Sequence, residues 1–242
     1  AAAVLFAWFF QRTLVHHFAY KWTNDGNWSH GWLIPLISLY FLWIRKEELA
    51  RTRRCPLPLA GVLLLGVLAA HGFYSWVRPI LYYQGLCVPA GIAAIVLTLW
   101  GWRMLRVTAF PIAYLLLAVP LPHGMYVELT VPLRRLASQL AGAALSLLPS
   151  VEVEVQNVII DWVRLDTGAS GYLNIETACS GLRLMMSFAA LGLAYAYLLR
   201  GPMWQRVVIV LACVPIAVLC NAIRVIITGV FWIYDRPDWA QG

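Results

Sequence analysis

The sequence predicts an all-α fold, a multi-pass transmembrane helical bundle carrying a small extracytoplasmic β-hairpin, and three observations lead there. Of the 242 residues, 62% are hydrophobic and 12% charged, which leaves too little polar surface for a soluble globule of this size. Apolar runs of membrane length recur along the chain, separated by breaks rich in arginine or proline. Over 151–156 the pattern changes to period two, Val151, Val153 and Val155 alternating with Glu152, Glu154 and Gln156, the spacing of a strand. Residues 1–242 form one membrane-embedded domain on this reading. Its ends look truncated, because Ala1 opens inside an apolar run and no methionine precedes it.

Taken in order, the first run is Ala1 to Tyr20, interrupted by Arg12, His16 and His17 and closed by a polar turn, Thr23 to Asn27. Gly31 to Ile44 follows, ended by Arg45 and Lys46. A connection with Arg51, Arg53, Arg54, Pro56 and Pro58 leads to two further spans, Leu59 to Val77 and Ile80 to Trp100, with a break at Arg78-Pro79. A shorter stretch, Val107 to Val119, ends at Pro120 and Pro122. With Ser180 to Leu199 and Arg206 to Tyr234 these runs amount to about seven spans.

The segment 124–148 differs. Leu129, Leu133, Leu136, Leu140, Ala144 and Leu147 recur at steps of three and four, and that apolar stripe predicts an amphipathic helix. Two adjacent arginines, Arg134 and Arg135, make it costly as a lipid-facing span, so it is expected to be non-spanning, in the interface or inside the bundle. Val158 to Leu165 is a second strand-like run. The turn-rich Asp166 to Gly171 and then Tyr172 to Glu176 complete a β segment over 151–176, a hairpin or meander outside the bilayer.

Basic residues give the orientation. The loops holding Arg45 to Arg54, Arg103 and Arg106, and Arg200 and Arg206 are the strongly positive ones and are expected to be cytoplasmic. Of the 11 acids, only Glu47 and Glu48 then lie inside. Alternation holds if Val107 to Ser180 makes one net crossing. The β segment and the start of the next apolar run then face the other side of the membrane.

The β segment feeds into Thr177-Ala178-Cys179-Ser180-Gly181-Leu182-Arg183. Apart from Ser187, Leu184 to Leu199 is apolar, so a helix starts just after Cys179 and places that thiol at a helix N-terminus. Unpaired N–H groups and the positive dipole end there favour the thiolate, and Arg183 adds a cation one turn on. The alternative for Cys179 is a small apolar residue in a helix. The next apolar helix returns across the membrane, and its only interior charge is Arg224, roughly 27 Å above Arg206 at 1.5 Å per residue. That is the level at which the preceding helix begins. An arginine there costs several kcal/mol unless paired, which marks a functional residue; the alternative is snorkelling to lipid headgroups.

At these residues the chain resembles the exosortase and archaeosortase family of polytopic membrane transpeptidases. Ala178-Cys179-Ser180-Gly181-Leu182-Arg183 is similar to the family's nucleophile motif. Pro215-Ile216-Ala217 with Asn221-Ala222-Ile223-Arg224-Val225 is similar to its arginine motif. Ser29-His30-Gly31 with Pro35 to Tyr40 is similar to its first well-marked helix. The resemblance favours the bacterial exosortase branch. It implies Cys179 and Arg224 as catalytic residues, with Arg183, Asn221, Ser180 and His30 in support. Arg183 would steady the thiolate or bind a substrate carboxylate, or else be a first-turn surface residue. His30 faces the outer side on this topology, and a structural, hydrogen-bonded histidine is the plainer reading of it. The family's third catalytic residue, a histidine downstream of the arginine helix, would fall beyond Gly242.

The resemblance also implies the partners: secreted proteins with a C-terminal sorting tail, in which a Pro-Glu-Pro-like motif precedes a transmembrane helix and a basic cluster, together with membrane lipid and an acceptor the sequence does not name. No cofactor is implied. The other cysteines suggest neither a disulfide framework nor a metal site, since no pair has zinc-ligand spacing. The net charge of +7 sits mostly in loops that set orientation, so no nucleic-acid partner is expected. Two other readings remain open: a non-enzymatic transporter or scaffold subunit with Arg224 as counter-ion, and an intramembrane peptidase that only hydrolyses. The absence of an internal repeat weighs against a transporter.

Overall fold

Side chains that bond back to the preceding turn carry the first helix beyond its apolar run. The structure, a computed structural model, describes residues 2–175 and 181–234. It divides into two compact units, Ala1–Pro122 and His123–Gly242. In the first, α1 (Ala2–Gln11) continues through a π-helical segment (Arg12–Ala19) into α2 (Tyr20–Asn24). The predicted polar turn is therefore partly helical. Thr23 Oγ1 donates to Ala19 O at 2.8 Å and Asn24 Nδ2 to Tyr20 O at 2.9 Å, satisfying both polar groups within the helix. Asp25 ends the run; its Oδ1 accepts from Asn27 N at 3.1 Å and opens a 3₁₀ segment, Gly26–Trp32. Then come α3 (Leu33–Ile44), α4 (Lys46–Arg51), a 3₁₀ turn (Pro58–Ala60), α5 (Gly61–Gly72) with a π-helical end (Phe73–Val77), α6 (Leu81–Trp100), α7 (Trp102–Tyr114) and a 3₁₀ end (Leu115–Ala118).

Special backbone positions tie these helices together. Gly101 turns α6 into α7 at φ 84°, where a side chain is strained and would also strike the Cys55 carbonyl. Cys55 N in turn donates to Trp100 O at 3.1 Å. Pro111 inside α7 has no N–H for the carbonyl of Val107. Arg45 Nη1 reaches that carbonyl at 3.5 Å, and Ser38 Oγ donates to Pro111 O at 2.8 Å, so the proline's disruption becomes the tie between α3 and α7.

One polar cluster inside this unit has no signature in the sequence. Thr13, His71 and Gln84 are all buried. Thr13 Oγ1 lies 2.9 Å from His71 Nε2 and 3.5 Å from Gln84 Oε1, and Gln84 Nε2 donates to Tyr74 O at 2.6 Å. The π-helical stretches carry Thr13 and Tyr74, and these mutual bonds offset the cost of placing three polar side chains among apolar helices. Periodicity cannot reveal such partners, because they lie 58 and 71 residues apart.

The second unit begins with α8 (His123–Leu145). The structure shows which of its residues are buried. The stripe leucines Leu129, Leu136, Leu140 and Leu147 are exposed, while Thr130, Ala137, Ser138, Ala141, Gly142 and Leu145 are buried. Small residues let the helix approach its neighbours closely, and the stripe leucines turn outward, the arrangement of a helix whose solvent is lipid. The β segment is a three-stranded antiparallel meander in the order β1 (Val151–Gln156), β2 (Ile159–Arg164), β3 (Ser170–Asn174). Ser170 and Gly171, read as turn, are strand. Asn157 takes φ 57° in the β1–β2 turn, a conformation asparagine tolerates. Its carbonyl accepts from Ser138 Oγ, and Gly142 leaves room for Val155. After the sheet come α9 (Gly181–Leu198) and α10 (Met203–Ile233).

Among the described residues three helical stretches are long and apolar enough to cross a membrane: Pro58–Val77, Leu81–Trp100 and Met203–Ile233, with mean hydropathy of 1.6, 1.5 and 2.4. Arg183–Leu198 is apolar but shorter. The protein is an α-helical membrane protein with one small sheet.

Replacing Gly142 with Val should overpack the contact with Val155 and cost about 1–3 kcal/mol. Gly66→Ala, where a methyl group meets open space, should cost nothing. Thermal denaturation of the purified chain in detergent separates the two; equal melting temperatures would mean that the sheet does not depend on this contact.

Candidate active site

Two helices joined by a four-residue connection have to lie side by side. α9 ends at Leu198 and α10 starts at Met203, so they form an antiparallel hairpin. Along their axes Gly181 stands roughly 26 Å above the connection and Arg224 roughly 32 Å, at 1.5 Å per residue. Arg224 is thus within about one helical turn, ~5.4 Å, of the height at which α9 begins. Arg183 is exposed in the first turn of α9, and Arg224 is exposed on α10. Asn221 is one turn before Arg224 and buried. Cys179 and Ser180 lie outside the described residues, in 176–180, the segment that joins Ile175 to the start of α9.

A single apolar cluster holds the sheet to the arginine helix. It joins Val151, Ile160, Trp162, Leu173 and Ile175 of the β segment to Ala141 and Leu145 of α8 and to Val225 and Ile233 of α10. Val225, Ile160 and Ile175 have no exposed surface. Val225 follows Arg224 directly, and Ile175 is the last described residue before the cysteine segment. Each fully buried aliphatic side chain contributes about 1.5–3 kcal/mol relative to exposure. Alternation along 151–155 foretold an inward face but could not name its partners.

Sequence reasoning missed a second tie. Arg164, at the end of β2, donates Nε to Asp166 Oδ1 at 3.0 Å and Nη2 to Asp166 Oδ2 at 2.8 Å. Its Nη1 donates to Ile233 O at 3.4 Å, and the guanidinium lies 5.3 Å from the Tyr234 ring centroid. An arginine at a helix C-terminus satisfies a carbonyl that has no partner within the helix and meets the negative end of the dipole. Asp166 orients it, and the hydrogen bond from Arg164 holds the carboxyl below its usual value, opposed by partial desolvation and aided by the arginine charge and backbone N–H groups. The Arg-x-Asp spacing was the available signal; its target, Ile233, is 69 residues away.

His30 belongs to the first unit, in the 3₁₀ segment before α3. It is buried. Burial holds its pKa below the ordinary value, and the nearby Leu117 and Asn27 backbone only partly opposes this. Its ring stands 5.8 Å from that of Trp28, an apolar setting suited to a neutral imidazole. Cys55, Cys87, Cys213 and Cys220 are free thiols. Among the described residues no cluster of His, Cys, Asp or Glu could hold a metal ion.

Compared with known families, the sequence matches the model for transmembrane exosortase (Exosortase_EpsH) over residues 22–242. The chain belongs to the transmembrane exosortase family. No curated protein and no solved structure matches it. Membership makes this exosortase a membrane sorting enzyme of the transpeptidase type. The match takes in both the Ala178–Arg183 and the Asn221–Val225 stretches.

The Arg164 tie has an acid limit in this exosortase. The folded pKa of Asp166 lies below the unfolded value of about 3.9, so its contribution is complete above that pH and is lost as pH falls through the lower, folded value. Arg164→Ala should lower the melting temperature at neutral pH. Asp166→Asn should do so too and should flatten the fall in stability below about pH 4. Melting curves of wild type and Asp166→Asn that stay parallel down to about pH 3 would show that the pair does not support the fold.

Proposed function

We propose that this exosortase is a cysteine transpeptidase of the bacterial inner membrane. On this reading it cleaves secreted proteins at a C-terminal sorting tail, a Pro-Glu-Pro-like motif followed by a transmembrane helix and a basic cluster, at a site facing the periplasm. The observation that carries the proposal is the family match over residues 22–242, which includes both the cysteine and the arginine motifs in order. The placement of Val225 in the cluster that ends at Ile175 supports it, because the arginine helix and the chain leading to the cysteine then share one anchor.

The Cys179 thiolate attacks the scissile carbonyl carbon, and the electron pair moves onto oxygen. Collapse of this tetrahedral oxyanion expels the amine of the tail, which takes up a proton, and leaves a thioester. An acceptor amine then attacks the thioester, losing a proton as the amide forms and Cys179 leaves. Arg224 donates hydrogen bonds to the oxyanion or stabilises the thiolate; removing one such donor from a water-poor site costs about 10²–10³ in rate. Arg183, Ser180 and Asn221 support this centre through the two motifs.

The sheet gives the substrate a place to add. Ile175 N donates to Val158 O at 2.9 Å, and antiparallel alternation assigns Leu173 and Gly171 to the same bonded set. An extended substrate motif then adds alongside Tyr172 and Asn174, in the last strand before the cysteine segment.

Co-expression with a tail-bearing substrate, followed by mass spectrometry of the product, tests the reading. Cys179→Ala should abolish the cleaved product, and Arg224→Ala should reduce it about 10²–10³-fold. Tail removal persisting in Cys179→Ala would overturn the proposal, and a product carrying only water at its new C-terminus would reduce it to hydrolysis. Asn174→Pro, which spares the β2–β3 bonds, should lower turnover while the melting temperature holds; unchanged turnover would remove strand addition.

A further inference from the structure

α6 and α7 diverge from their turn at Gly101 and leave a groove of about 400 Å³ on the first unit. Its walls are apolar, with Pro89 and Ala93 from α6 and Ala109 and Ile112 from α7. One end is different: Trp102 and Arg106 line it, and Arg106 is the only charged residue along the groove. The Arg106 guanidinium stands 5.5 Å from the Trp102 ring centroid, and both residues are exposed. Arg103, also exposed, lies on the preceding turn. Among the described residues no carboxylate pairs with Arg106, so the cation is presented to whatever occupies the groove.

Length and charge together select the occupant. From Arg106 to Leu116, which closes the apolar wall, is ten residues, roughly 15 Å at 1.5 Å per residue. That is half of a hydrocarbon core about 30 Å thick, so a cation at headgroup level stands at the head of an apolar track one leaflet deep. Trp102 has the ring type that settles at the membrane–water boundary. A guanidinium donates two parallel N–H groups to a phosphate, and stacking on a ring limits its motion beforehand. A sorting tail ending in a basic cluster would bring like charge to Arg103 and Arg106. A second copy of this chain, seated symmetrically, would bring the same arginines together.

We propose that the α6–α7 groove binds an anionic phospholipid, with one acyl chain along Pro89, Ala93, Ala109 and Ile112 and the phosphate accepting hydrogen bonds from Arg106. The site needs nothing from the cysteine chemistry and stands whether or not the transpeptidase reading does.

Native mass spectrometry of the full chain, released from detergent containing phosphatidylglycerol or phosphatidylcholine with identical acyl chains, tests it. Wild type should retain phosphatidylglycerol about fivefold better, the order expected of one basic side chain at a charged membrane surface. Arg106→Gln should bring the two lipids to parity while circular dichroism shows unchanged helix content, and Arg106→Lys should keep part of the preference. Ala109→Leu, which fills the groove, should lower retention of both lipids. Equal retention by wild type, or an undiminished preference in Arg106→Gln, would overturn the proposal. So would a dimer that Ala109→Leu dissociates, or displacement of the lipid by a sorting-tail peptide.

Discussion

Burial of Val225 and Ile175 in one apolar cluster is the constraint on which the second unit depends. A three-stranded sheet of 5- and 6-residue strands has little stability alone. It persists here because its inward face is covered by Ala141 and Leu145 of α8 and by Val225 and Ile233 of α10. The same contact sets the height of α10 against the chain that runs into the cysteine motif. Arg164 reinforces it at the far end by donating to the Ile233 carbonyl. Apolar burial supplies the attraction, and the arginine's directional bonds set the position.

Where helices lie in lipid, apolar surface no longer distinguishes inside from outside, and small or polar residues take over the packing. On α8 Leu129, Leu136 and Leu140 face outward, while Ser138, Ala141 and Gly142 meet the sheet. In the first unit Thr13, His71 and Gln84 bond to one another, and Arg45 and Ser38 gather on the backbone around Pro111. Each case follows from one cost. A polar group among apolar helices must find a partner, and the partner then fixes which helices are neighbours.

The stripe read over 124–148 did not say which way it faces, for that reason. The stripe at Leu129, Leu136 and Leu140 was real, but a rule calibrated on water assigns large apolar residues to the interior. Nor does an isolated histidine in the sequence say that His30 is buried beside Trp28, where burial lowers its pKa. The Arg164 contact with Ile233 and the Val225 cluster were illegible because their members are distant in sequence and carry no local pattern.

By itself the amino-acid sequence determined the membrane class, the runs that became helices, the alternating strands and the family, whose ordered motifs around Cys179 and Arg224 need no coordinates to be recognised. Class, helices and strands are properties of composition and short-range periodicity; the family rests on the likeness of the ordered motifs to a known set. The tertiary structure decided which face of each element is buried, how the sheet is anchored to the arginine helix, and that α6 and α7 part to leave a groove headed by Arg106. Those outcomes depend on which side chains complement one another across tens of residues, and complementarity of that range exists only once the chain has packed.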